Sequence, residues 1–101
     1  MNTDTEAKVF RDDESFYIPL PNSQRALLKY HLEEERIYVL STYTPPEYRG
    51  MGLASRLMDE VVKFALEKNL KIVPICSYAQ RYMDKHPELR DRVTESLNRK
   101  V

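Results

Sequence analysis

Between Arg36 and Ile75 the apolar residues change their spacing twice, and that change limits the fold more than any other feature of the chain. Arg36 to Tyr43 places Ile37, Val39, Ser41 and Tyr43 on one parity and Tyr38, Leu40 and Thr42 on the other, which reads as a central strand buried on both sides. Thr44-Pro45-Pro46 stops it, because proline withholds a backbone donor and restricts the residue before it. From Gly52 to Lys68 the positions Ala54, Leu57, Met58, Val61, Val62 and Ala65 follow helical spacing. Opposite them lie Arg56, Asp59, Glu60, Lys63 and Glu67, with Lys63 spaced for i, i+4 pairs to Asp59 and Glu67. Asn69 is the expected left-handed stop, and Leu70 to Ile75 is a short apolar strand. Strand, helix and strand in that order make a βαβ unit with parallel strands and a right-handed crossover.

Upstream, Ser15 to Leu20 reads as a first strand ended by Pro19-Leu20-Pro21-Asn22. Gln24 to Leu32 carries Ala26, Leu28, Tyr30 and Leu32 on one buried parity, and Glu33-Glu34-Glu35 reads as a solvated turn. Met1 to Lys8 has no periodicity and is expected to fray. Pro74 inside the last strand predicts an edge position with incomplete pairing. Ser77-Tyr78-Ala79-Gln80 has the form of a capping box, so a second helix is expected from Tyr78 to about Lys85, before Pro87. Leu89, Val93 and Leu97 predict a last amphipathic helix. The expected class is α/β (α+β): a small mixed sheet with antiparallel N-terminal strands followed by the βαβ unit, in one domain over 1–101.

Lys plus Arg (16) balance Asp plus Glu (16), so no global field draws the chain to nucleic acid or to an anionic membrane. The polar start Met1 to Glu6 and the lack of a long apolar run predict a cytoplasmic protein. One cysteine and two histidines, widely spaced, predict no metal site.

The chain has two glycines, Gly50 and Gly52, both in the connection from the central strand to the long helix. A strand, a glycine turn and a helix start put unpaired backbone N–H groups and the positive end of a helix dipole in one place. Gly50 and Gly52 supply unusual backbone angles or clearance, and Arg49 adds a charge, which together favour a phosphate. A P-loop needs G-x-x-x-x-G-K-S/T, and no lysine follows the second glycine. A dinucleotide fingerprint needs a third small residue where Ser55 stands and an acid near Val73-Pro74-Ile75-Cys76.

Arg49-Gly50-Met51-Gly52-Leu53-Ala54 resembles the R/Q-x-x-G-x-G/A motif of the GCN5-related N-acetyltransferases. With Thr44-Pro45-Pro46-Glu47-Tyr48, Val73-Pro74-Ile75-Cys76-Ser77-Tyr78 and His86-Pro87, the chain is similar to the small single-domain subgroup of that superfamily, proteins of about this length. The resemblance covers roughly Arg36 to Pro87 and implies an acyl-CoA N-acyltransferase-like fold whose parallel strands splay apart. It implies acetyl-CoA as co-substrate, with Arg49, Gly50, Met51, Gly52, Leu53 and Ala54 at the pyrophosphate and Thr42, Tyr43, Thr44 and Ser77 along the pantetheine arm. The implied activity is transfer of an acetyl group to an amine, on a small molecule or a protein. A second subunit, in a homodimer, is one way to complete the acceptor pocket of so short a chain.

Tyr78, at the start of the second helix, is the proton donor for the departing thiolate that the resemblance implies, although a tyrosine there also fits simple packing. Cys76 is a candidate nucleophile for a covalent, two-step route, and it also fits a small buried hydrophobe. Direct attack on bound acetyl-CoA is the superfamily's usual course. Small relatives commonly carry a histidine where this chain has Ser41, so deprotonation of the amine falls to Glu47, an ordered water or the solvent. His31 reads as a surface histidine and His86 as a stabiliser of the second helix's end. Arg81, Lys85, Arg90 and Arg92 form a basic rim suited to the 3'-phosphate of CoA or to ordinary solvation. The alternative is a non-catalytic CoA-binding or protein-interaction module.

Overall fold

A computed structural model describes residues 8–89. Residues 87–89 are helical and Leu89 packs against the core, while the rest of the last helix expected from Leu89, Val93 and Leu97, the N-terminal stretch to Ala7, and Arg90 and Arg92 lie outside them. Five strands form one sheet in chain order: β1 (Phe10–Arg11), β2 (Ser15–Leu20), β3 (Gln24–Glu33), β4 (Arg36–Tyr43) and β5 (Lys71–Pro74). The first four are antiparallel and β5 runs parallel to β4. Helix α1 (Leu53–Lys68) connects β4 to β5, and α2 (Ser77–Asp84) follows β5.

One face of the sheet carries the core. Phe16 and Ile18 of β2, Ala26, Leu28 and Tyr30 of β3, Ile37 and Val39 of β4 and Ile72 of β5 meet Leu57, Met58, Val61 and Ala65 of α1 and Ala79, Tyr82 and Met83 of α2. Helix α1 lies over β2 and β3, and α2 over β4 and β5. Asn69 ends α1 in the left-handed conformation, its amide donating to the Ala65 carbonyl. No described element covers the opposite face. Apart from Ser15 and Val73, its side chains are half-buried or exposed.

Several expectations are corrected. Strand β1 was not legible: Asp12 Oδ1 accepts from the amides of Glu14 and Ser15, and this turn brings Phe10 back to stack on Tyr17, with ring centroids 5.8 Å apart. Glu33 belongs to β3 rather than to the turn, and Leu32, near the end of that strand, is exposed. Strand β4 is not buried on both sides. Lys29 pairs with Ser41 and Tyr30 with Val39, so Leu40 is an extra residue, a β-bulge. The bulge reverses the alternation: Thr42, opposite Leu28, shares the core face, while Ser41 and Tyr43 join the open one.

The capping box is also displaced. Cys76 is the N-cap of α2, its sulfur accepting from the Ala79 amide at 3.4 Å, and Gln80 Nε2 donates instead to the carbonyls of Pro74 and Ile75. Lys63 makes no ion pair with Asp59 or Glu67 among the described residues. His31 is exposed, with Nε2 3.4 Å from Glu33, and His86 Nδ1 meets the Tyr82 carbonyl at 2.8 Å at the end of α2.

Asp59 accepts the Tyr82 hydroxyl at 2.6 Å, tying α2 to α1. Burial first, and then the Asp59 carboxylate, hold this phenol well above the usual tyrosine range. A raised folded-state value means that the associated stability is complete below the unfolded value, near 10.0, and declines as pH rises beyond it. Tyr82→Phe is expected to lower the free energy of urea unfolding by about 1 kcal/mol at neutral pH. The variant should also lose less stability than the wild type when the titration is repeated above the ordinary tyrosine range.

Candidate active-site cleft

Pairing between β4 and β5 stops early. The amides of Ile75 and Cys76 both donate to the Val39 carbonyl, at 3.0 and 3.2 Å, and no residue of β5 pairs with β4 beyond Val39. The amides of Lys71 and Ile75 donate to Glu35 and Val39, so Pro74, opposite Val39, turns its donor-less nitrogen to the free edge, and the Leu40 bulge turns β4 where the pairing stops. The edge of β4 from Leu40 to Tyr43 is therefore open on the β5 side, over about 13 Å at the usual strand rise. Pro74 thus occupies the edge strand that its chemistry predicted.

After β4 the chain makes one short 3-10 turn, Pro46–Tyr48, and reaches Gly50 and Gly52, at φ 81° and 80°. A β-carbon at either would meet nothing within 4 Å, so the glycines are required for backbone angle and not for clearance. Gly52 caps α1 without any side-chain hydrogen bond. The amides of residues 50–55 find no backbone acceptor among the described residues, and the first internal bond of α1 runs from the Arg56 amide to the Gly52 carbonyl. Arg49 Nε donates to the Thr44 carbonyl at 2.8 Å, and its guanidinium lies 5.9 Å from the Tyr43 ring centre. Arg49 thereby ties the turn to the end of β4 as well as adding charge.

These parts enclose a cleft of about 540 Å³. It gathers Thr42, Tyr43, Thr44, Arg49, Gly50, Gly52, Leu53, Ala54, Ser77 and Tyr78, ten of the residues expected from sequence. Met51 is not in its lining and is exposed. Cys76 is half-buried one residue before Ser77 and does not line the cleft. Tyr48 and Ser55 also line it and were missed, as was Arg81, which had been read only as part of a rim. Arg81 lies one helical turn beyond Ser77 and Tyr78, the spacing that could have signalled it.

The starts of α1 and α2 both open on this space, Arg49 and Arg81 add two cations, and among the described residues no carboxylate or imidazole lines it. Glu47 is bonded to Gln24 Nε2 at 3.4 Å and stands outside. Such a cleft is built for an anion at the helix starts and an extended chain along the open strand edge.

The chain belongs to the GCN5-related N-acetyltransferase family, whose family model matches residues 15–92. It is 38% identical over 64 residues to the protein NATD1 of chicken (Gallus gallus) and of human (Homo sapiens); the match takes in 62% of this chain and 58% and 57% of those proteins. A GCN5-like protein from Staphylococcus aureus, solved by NMR, superposes with a TM-score of 0.67 at 26% identity, over 91% of each chain.

Gly52→Ala is expected to leave the fold intact while costing about 1 kcal/mol in urea unfolding, because alanine resists positive φ. Gly50→Ala should cost a similar amount, and a neutral result at both positions would mean that the turn relaxes.

Proposed function

We propose that the chain is an acetyl-CoA-dependent N-acetyltransferase that transfers an acetyl group to an amine. One observation carries the reading: amides without backbone acceptors among the described residues at the start of α1 adjoin an unpaired strand edge, in a cleft that no described carboxylate lines. The amides of residues 50–55 receive the pyrophosphate, with Arg49 and the glycine angles supporting them. The edge from Leu40 to Tyr43 offers backbone groups to the pantetheine amides, which add to the sheet as a further strand does. Thr42, Thr44 and Ser77 border that path.

This places the thioester near Val39 and Leu40, between β4 and the start of α2. The neutral amine attacks the carbonyl carbon, the carbon–sulfur bond breaks, and the Tyr78 hydroxyl supplies a proton to the thiolate of CoA. Water entering the open cleft takes the proton of the amine, since Glu47 is held by Gln24. Cys76 serves a two-step variant: its sulfur forms the new thioester as CoA leaves, and the amine then regenerates the thiol.

A CoA-binding module without turnover is the second reading, favoured by the lack of an imidazole or carboxylate among the described residues of the cleft. Isothermal titration is expected to show one saturable CoA site, weakened by about tenfold or more in Gly50→Asp, which sets a carboxylate against the phosphates. No heat with CoA would reject both readings, and binding without turnover over a panel of amines would leave the module. For the two-step variant, mass spectrometry after mixing with acetyl-CoA should find an acetyl adduct on Cys76. Full rate in Cys76→Ala assigns direct transfer.

A further inference from the structure

We propose that the uncovered face of the sheet is the acceptor platform and that it takes an amine carried on an acidic peptide. The inference rests on the acetyltransferase reading for the position of the thioester. With α1, α2 and the anion cleft on one side of the gap between β4 and β5, the open approach to the acyl carbon is from the other side, across the bare face.

The charges of that face are uneven although the chain as a whole is neutral. Down β3 it presents Arg25, Leu27, Lys29 and His31 in succession, flanked by Tyr17 of β2 and by Tyr38, Ser41 and Tyr43 of β4. Lys29 stands opposite Ser41, next to the Leu40 bulge where the gap begins. It is exposed and forms no ion pair among the described residues. The Arg25 guanidinium lies 4.3 Å over the Tyr17 ring, which holds the cation flat on an aromatic surface.

Carboxylates stay at the margins. Glu33 closes the row at the turn and meets His31. Asp12, whose Oδ1 accepts from the amides of Glu14 and Ser15, also lies near enough to Arg25 to feel its charge, so Lys29 is the cation of the row without a carboxylate partner among the described residues. Glu47 is bonded to Gln24, whose place in β3 belongs to the helix-covered parity. A basic ridge between tyrosines attracts acidic segments and repels polyamines and Lys/Arg-rich tails. The face is also set apart from the described cavities. Tyr17, Arg25, Lys29 and Tyr38 line none of the described cavities, and small molecules are bound by concave sites, whereas an extended peptide spreads its contacts over such a surface.

The test uses two fluorescein-labelled peptides of equal length with one acceptor lysine each, flanked by Asp/Glu in one and by Arg in the other. Fluorescence anisotropy, with and without CoA, is expected to show the acidic peptide binding about tenfold more tightly at low salt, a preference that shrinks as salt is added. Lys29→Glu should abolish the preference. Lys63→Glu, the same charge change on the outer side of α1, should preserve it. Equal binding of the two peptides, preference for the basic one, or equal loss in both variants overturns the proposal. A single-stranded oligonucleotide that displaces the acidic peptide at lower concentration overturns the peptide assignment as well. A parallel CoA titration separates the two levels: no CoA binding removes the acetyltransferase reading, while intact CoA binding without acidic preference removes the acceptor inference alone.

Discussion

The Val39 carbonyl is where the sheet stops being a sheet. It accepts the amides of both Ile75 and Cys76, and the parallel pairing ends there. Just beyond it Leu40 bulges out of the pairing with β3. An unpaired strand edge is ordinarily a liability, open to pairing with another chain. Here the edge from Leu40 to Tyr43 forms a wall of a cleft, and the rest of the site is arranged around it. A shared acceptor at Val39 and one extra residue at Leu40 mark the change from a continuous ladder to a gap.

The gap would have little chemistry without the two helices that begin at its rim. Helix α1 starts at a glycine of positive φ, with successive amides that meet no backbone acceptor among the described residues, and α2 starts at Cys76, whose sulfur accepts the Ala79 amide. Their mutual position depends on the core and on the hydrogen bond from Tyr82 to Asp59. Arg49 links the glycine turn back to Thr44. Two helix starts and two arginines thus share one space in a chain with no net charge. Local geometry, and not overall charge, makes the cleft suited to an anion.

Elements whose signals are local were legible. The expected start of α1 at Gly52 differs from Leu53 only by the cap residue, and Asn69 and Pro74 occupy the positions their backbone preferences dictate. The cleft residues near the glycines were legible for the same reason, since motif residues sit close together in the chain. What failed was non-local. Strand β1 has two residues and gains its place by pairing with β2 and by the Asp12 turn. Ser77 and Gln80 have capping-box spacing, but the carbonyls of Pro74 and Ile75 compete for Gln80 and the helix starts one residue earlier in its cap. Lys63 has the spacing for ion pairs with Asp59, yet Asp59 meets Tyr82 from the other helix.

The sequence by itself determined the order of elements, the glycine turn, the helix stop at Asn69 and the edge position of the last strand, because each follows from one residue's backbone chemistry or from apolar spacing within one segment. Only the tertiary structure decided the faces of β4. The alternation of a strand is read on the assumption of an unbroken register, and a single unpaired residue at Leu40 sends Thr42 to the core side and Ser41 and Tyr43 to the open one. It also decided that Cys76 caps a helix, that Arg81 reaches the cleft, and that Arg25 and Lys29 line up on an uncovered face. Those outcomes depend on which neighbour arrives alongside, a distance in space that no spacing along the chain encodes.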